Sequence, residues 1–187
     1  EFRRVLFRST NKHGNCGLYV KNTTWKSTAS RNYIFQYAET PYVLCVDSHV
    51  MLAPGSLKKL IDYYDKSPDT KNLYHGPLID DNQQPFANHM KGTWKFNMYG
   101  EWINHLPWNK EKKPYEIPMM GLGLFSCIKK NWLGFNEHFT GFGGEEGYIH
   151  RKYKKAGHKT LMLPWLKWLH RHHLLEKLET YKSYLIA

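Results

Sequence analysis

Apolar positions along the chain fall into short blocks whose spacing alternates between helical and strand-like. From Ser30 to Glu39 the spacing predicts a short helix, with Ala29, Tyr33, Tyr37 and Ala38 near one face and Thr28 or Ser30 as its cap. Thr40-Pro41 ends it. Tyr42 to Val46 is a continuous apolar run of strand length, as a buried central strand requires, and Asp47 lies at its carboxyl end. Pro54 starts a second helix, in which Leu57, Leu60, Ile61 and Tyr64 recur at helical spacing until Ser67-Pro68. Leu73 to Ile79 reads as one further strand.

The stretch from Asp80 to Pro118 has no clear period and predicts loops or a short hairpin over the active face. Leu122 to Ile128 is strand-like after Gly121 and Gly123, and Lys129 to Leu133 forms a turn of helix. Glu145 to Ala156 reads as a helix with Tyr148, Ile149 and Tyr153 inward and Gly157 as its stop. Lys159 to Leu163 returns as a strand, followed by a short aromatic segment from Trp165 to His170. Helices and strands in this order predict an α/β layered fold.

The length of 187 residues suits one domain with a real core. A formal charge of +11 implies attraction to anions: a nucleoside diphosphate, an anionic glycan, a membrane surface or nucleic acid. Basic clusters occur at Arg151–Lys155 and Lys110–Lys113, but none interleaves with aromatics as a nucleic-acid module would, so no nucleic-acid partner is expected. The 16% aromatic content fits a flat-ligand surface or a core rich in rings equally well. Three cysteines, Cys16, Cys45 and Cys127, lack C-x-x-C spacing and argue against a zinc finger or a disulfide framework. Cys45 and Cys127 sit in apolar runs and read as small buried hydrophobes. With no apolar stretch of spanning length and no secretory signal in view, the expected location is cytoplasmic.

Three constellations carry chemistry. Asp47-Ser48-His49 follows a buried strand, where open α/β sheets bind ligands. A carboxylate and an imidazole two residues apart suit a divalent first-row cation, although a turn-capping Asp beside a surface His has the same spelling. Gly141-Phe142-Gly143-Gly144-Glu145-Glu146-Gly147 joins a backbone able to approach a ligand to two acids at a helix start. Such a carboxylate can serve as general base, and a glycine turn before ordinary helix acids is the alternative. His170-Arg171-His172-His173 closes a segment too apolar for a loose tail, so His170 can complete a metal site and Arg171 can face phosphate.

In order and spacing these elements resemble glycosyltransferases of the GT-A fold, which implies an α/β domain with a mostly parallel central sheet flanked by helices. The resemblance is to family 2 and to the relatives that include polypeptide N-acetylgalactosaminyltransferases and β-1,4-galactosyltransferases, and it spans Ala29 to Arg171. Asp47-Ser48-His49 matches the D-x-H form of the family's metal motif, and Gly143-Gly144-Glu145 matches its W-G-G-E element with Phe142 in place of Trp. Glu116-Ile117-Pro118, Gly121–Phe125 and Gly141–Ile149 are similar to runs in bacterial and phage family 2 sequences.

The resemblance implies a nucleotide-sugar transferase with a nucleoside-diphosphate donor, UDP by analogy, and Mn²⁺ or Mg²⁺ on Asp47, His49 and His170. Arg31, Ser48, Gly121, Gly123, Gly143, Gly144 and Arg171 would join Asp47 around the donor. Phe142 and Trp94 would stack on the acceptor, for which the resemblance leaves a glycan, a protein and a lipid open. Glu146 would be the base of an inverting reaction and Glu145 would hold hydroxyls. The alternatives are a non-catalytic carbohydrate- or nucleic-acid-binding module and a metal-dependent hydrolase.

Arg4 to Ser9 resembles a translated sequencing-adapter read, so residues 1–9 are expected to be non-native and residues 10–187 a partial GT-A domain. The family's first uracil-contacting strand would precede Asn11.

Overall fold

The computed structural model describes residues 29–80, 82, 84–95, 98–105, 113–139 and 143–170. The chain runs α1 (Ala29–Tyr37), β1 (Tyr42–Val46), β2 (Val50–Leu52), α2 (Ser56–Lys66), β3 (Leu73–His75), β4 (Leu78–Ile79) and β5 (Pro85–Ala87). It continues through β6 (His89–Lys95), β7 (Met98–Ile103), β8 (Tyr115–Glu116), β9 (Leu124–Ile128), α3 (Glu145–Lys155), β10 (Thr160–Met162) and β11 (Trp168–His170). Residues 1–28, with the adapter-like segment and Cys16, lie outside the described residues.

The main sheet has the order β1-β9-β3-β10-β8. All five residues of β9 are buried. Their alternation divides the core: Leu124 and Ile128 pack with Leu60 and Tyr64 of α2 on one face, while Phe125 and Cys127 pack with Phe35 of α1 and Ile149 and Tyr153 of α3 on the other. The α/β layering is therefore as expected. The strand directions are not. In this sheet, among the described residues, only β3 and β10 run parallel, while the β1–β9, β9–β3 and β10–β8 pairs are antiparallel. The physical reason is β9, which returns from the Gly121–Gly123 turn between β1 and β3 and runs against both.

The single strand expected from Leu73 to Ile79 is two, in different sheets. Gly76 breaks it. A Cβ there would lie 1.6 Å from the Leu166 carbonyl oxygen, so only glycine lets the two backbones meet. Trp168 seals the break, donating its ring N–H to the Gly76 oxygen at 2.6 Å and its backbone N–H to the Pro77 oxygen. This switch puts β4 beside β11 in the second sheet, β2-β11-β4-β5.

Two helix faces also differ from expectation. Helix α1 turns Arg31 and Phe35 inward and leaves Tyr33 and Tyr37 exposed, because Arg31 is drawn to Asp47 and Phe35 stacks on Trp132 at 4.1 Å. Helix α2 buries Leu60 and Tyr64 but exposes Leu57 and Ile61. It begins at Ser56 rather than Pro54, after Gly55 takes the left-handed conformation (φ 78°). The Ser56 hydroxyl, buried at 1% exposure, donates to the Trp165 oxygen (3.0 Å) and also lies 3.3 Å from the Lys167 oxygen, fixing the approach to β11. Ser56→Ala is expected to lower the unfolding free energy by about 1 kcal/mol, read from a urea midpoint.

The middle region is more ordered than predicted. Strands β6 and β7 form the hairpin, with a bulge between Lys91 and Trp94. Buried Cys45 and Cys127 fit the small-hydrophobe reading, and burial pushes the Cys127 thiol up to about 12. Among the described residues no helix is long and apolar enough to cross a membrane.

Candidate active site

The site begins where β1 stops. Asp47 donates its backbone N–H to the Gly123 oxygen (2.9 Å), and the Asp47 oxygen accepts from Val50 N–H to close a turn. Ser48 sits exposed in that turn. The chain then reverses into β2, which pairs antiparallel with β11 so that Val50 faces His170. A 121-residue separation is thereby closed: the His49 and His170 Nε2 atoms stand 2.8 Å apart, with their rings edge to face. Strand β2 was not expected from the sequence, yet it is the element that carries His49 to its partner.

Asp47, His49 and His170 each bring one ligand atom within 4.8 Å of the others. Two nitrogens bound to one cation at about 2.1 Å, at right angles, stand roughly 3 Å apart. The His49–His170 spacing and the nearby carboxylate therefore fit a first-row divalent cation. Behind them, the Arg31 guanidinium holds Asp47 at 3.2 Å and approaches the Leu122 oxygen at 3.5 Å. Arg31 is buried at 7% exposure and anchors the Asp47 carboxylate.

Gly143 and Gly144 both have positive φ, 104° and 86°, and Gly144 caps α3. A Cβ on Gly144 would meet nothing within 4 Å, so the backbone conformation alone demands glycine there. Glu145 and Glu146 form the first turn of α3. Burial pushes the Glu146 carboxyl up to about 7, and the neighbouring Glu145 charge adds to it. The Glu146 and Leu122 amides and the Arg31 charge pull in the opposite direction. Arg31 and the Leu122–Gly123 backbone thus link the Asp-x-His turn to the acids of α3.

Gly121 and Gly123 are explained by packing against protein rings. A Cβ on Gly121 would lie 2.2 Å from Trp102, and one on Gly123 would meet Trp168 at 2.9 Å and His170 at 3.1 Å. Trp94 is 71% exposed on β6, across a cavity from Gly144. Phe142 and Arg171 lie outside the described residues.

A buried histidine pair beside Glu146 has no local signal in the sequence. His75 and His150 bring their Nε2 atoms to 3.0 Å, while their Nδ1 atoms face the Leu124 and Glu146 carbonyls. Each Nδ1 must carry its proton to donate to those oxygens, so the neutral pair presents two bare Nε2 atoms, and Met120 N–H donates to that of His150. Burial holds both imidazoles well below their usual range, His150 at about 4. The His150 bond to the Glu146 carbonyl steadies the first turn of α3. Only a side-chain count along α3, with His150 one turn after Glu146, could have hinted at it.

The model of glycosyl transferase family 2 matches residues 6–139, well over half of the chain. The chain belongs to this family. It is a glycosyltransferase domain, and the matched region carries Arg31, Asp47 and His49, while the fold brings Glu146 and His170 alongside. The GT-A fold is shared with the crystal structure of GalNAc-T7 with UDP, GalNAc and Mn²⁺, at a TM-score of 0.58 and 20% identity. That similarity covers 75% of this chain and 29% of the GalNAc-T7 chain. No curated protein is significantly similar in sequence.

Proposed function

We propose that this domain transfers a sugar from a nucleoside-diphosphate donor, UDP in the first instance, to an acceptor hydroxyl with inversion and with help from Mn²⁺ or Mg²⁺. The observation that carries the reading is the convergence of Asp47, His49 and His170, linked through Arg31 to the half-buried Glu146 carboxyl of raised pKa. The UDP and Mn²⁺ of the GalNAc-T7 crystal structure support the same pairing of nucleotide and cation.

Asp47, His49 and His170 would hold the cation, with Arg31 keeping the Asp47 carboxylate oriented. The bound cation supplies charge neutralisation for the departing diphosphate. Glu146 takes the proton of the acceptor hydroxyl as its oxygen bonds to the sugar C1 and the C1–oxygen bond to the diphosphate breaks. A carboxylate titrating near neutrality is suited to that proton transfer. Glu145 keeps the local field negative, which raises the basicity of its neighbour.

Isothermal titration of UDP with and without Mn²⁺ tests the proposal. UDP should bind in the presence of Mn²⁺ and lose at least about tenfold in affinity when EDTA removes it. Metal-independent, steeply salt-dependent binding of DNA or RNA would instead mark a binding module. Sugar release to water alone, with no acceptor product, would mark a hydrolase.

A further inference from the structure

Next to the acids of α3 a cavity of about 530 Å³ opens between that helix and the β6–β7 hairpin. Its volume is in the range that takes a small ligand. Trp94 and Tyr99 come from the hairpin, and Tyr148, Arg151, Lys152 and Lys155 come from one side of α3. The hairpin is seated by Tyr99, whose ring lies so close to Gly147 that a Cβ there would approach it to 2.4 Å.

Resting on the glycosyltransferase reading, we propose that this cavity is the acceptor subsite and selects a saccharide bearing an acidic group. Aromatic faces at Trp94, Tyr99 and Tyr148 suit the apolar faces of sugar rings. The charge of the cavity is one-sided. Arg151 and Lys155 are exposed, and among the described residues neither forms an ion pair. Lys152 is held in place, donating to the Gly134 oxygen at 2.8 Å with its ammonium 5.6 Å from the centre of the Tyr148 ring. The hairpin's Glu101 is already engaged by Lys95 at 2.7 Å.

Basic residues near a helix carboxyl end are ordinary, and Lys152, Lys154 and Lys155 all lie in the last turn of α3. That preference does not account for Arg151, which lies before that turn, or for Arg151, Lys152 and Lys155 sharing one aromatic-walled cavity. Arg151 and Lys155 are one helical turn apart, a like-charge spacing that weakens a helix unless an anion sits between them. Gly144 borders the same cavity, so its occupant reaches the first turn of α3. Arg151 is about 7 Å along the helix axis from Glu146, and Lys155 about 13 Å. The acidic group therefore belongs to the reacting sugar or to the unit beside it.

Calorimetric titration of the full chain with matched disaccharides tests this. The set is one neutral, one containing a uronate, and one sulfated or phosphorylated. Acidic disaccharides should bind at least about tenfold more tightly than the neutral one, and less so at high salt. Arg151→Gln with Lys155→Gln should erase the difference, while Lys154→Gln should leave it. The uronate and the phosphate or sulfate arms then distinguish the source of the charge. Equal binding of acidic and neutral sugars, or equal loss in the Lys154 variant, overturns the proposal. Preferential binding of a short single-stranded oligonucleotide by the same side chains also overturns it. Failure of UDP to bind with Mn²⁺ in a parallel titration rejects the donor reading separately.

Discussion

Glu146→Gln is expected to slow transfer about 10³-fold while making the folded domain more stable above neutral pH. The loss of rate follows from removing the proposed base while leaving a side chain of nearly the same shape. Donor binding, measured with UDP and Mn²⁺, should change little. In the wild type the same group predicts an acid limb: kcat/KM should fall about tenfold per pH unit below roughly 7, as Glu146 takes up its proton.

The stability effect has the opposite direction. A carboxyl whose folded pKa is raised from 4.5 to about 7 favours the folded state fully below 4.5 and loses that contribution as pH rises through 7. At pH 8 the ionised Glu146 thus costs roughly 3 kcal/mol, which Gln does not. His150 acts the other way. Its imidazole, lowered from 6.5 to about 4, costs nothing above 6.5 and destabilises progressively as pH falls to 4, again by roughly 3 kcal/mol. His75 adds in the direction of His150. The variant should therefore exceed the wild type by roughly 3 kcal/mol in urea unfolding at pH 8, with the gap closed by pH 4. Its stability should also fall more steeply with acid, because it lacks the offsetting gain that protonation of Glu146 gives the wild type. A gap that is flat in pH would show that Glu146 is not buried in its ionised form.

Much of this site was legible in the sequence because its signals are local. The apolar run Tyr42–Val46, the turn residue Asp47 and the glycine pair before Glu145 each carry their own backbone requirement. His170 was legible through the apolar segment before it. The strand β2 was not, since three residues next to a turn carry no period, and its partner lies more than 100 positions away. The inward face of α1 was misread because Arg31 is charged, and periodicity assigns charged residues to solvent. Its burial is stabilised by a partner, Asp47, that no local pattern reveals. The His75–His150 pair escaped for the same reason, as 75 positions separate the two rings. The mostly parallel sheet came with the GT-A resemblance, and no local pattern shows that β9 returns against its neighbours.

Loss of the Asp47 carboxylate should be the most damaging change at the proposed cation site, and Asp47→Asn separates the chemistry from the fold. Asn keeps an oxygen for the Arg31 guanidinium, so the variant should fold, yet transfer with Mn²⁺ should fall on the order of 10³-fold, about 4 kcal/mol of barrier. Asp47→Ala strips Arg31 of its partner at 9% side-chain exposure, and a buried charge left alone costs several kcal/mol. That variant should lose both activity and thermal stability. His49→Asp provides the complement. It replaces a nitrogen donor with an oxygen donor at the same place, and carboxylates suit Mg²⁺ where imidazoles suit the first-row metals. Transfer should survive at a reduced rate, with the ratio of Mg²⁺- to Mn²⁺-supported activity rising several-fold. If Asp47→Asn retains wild-type transfer, or if His49→Asp leaves the metal ratio unmoved, the three side chains do not hold the ion. The 2.8 Å approach of His49 to His170 is then a contact of the apo fold alone.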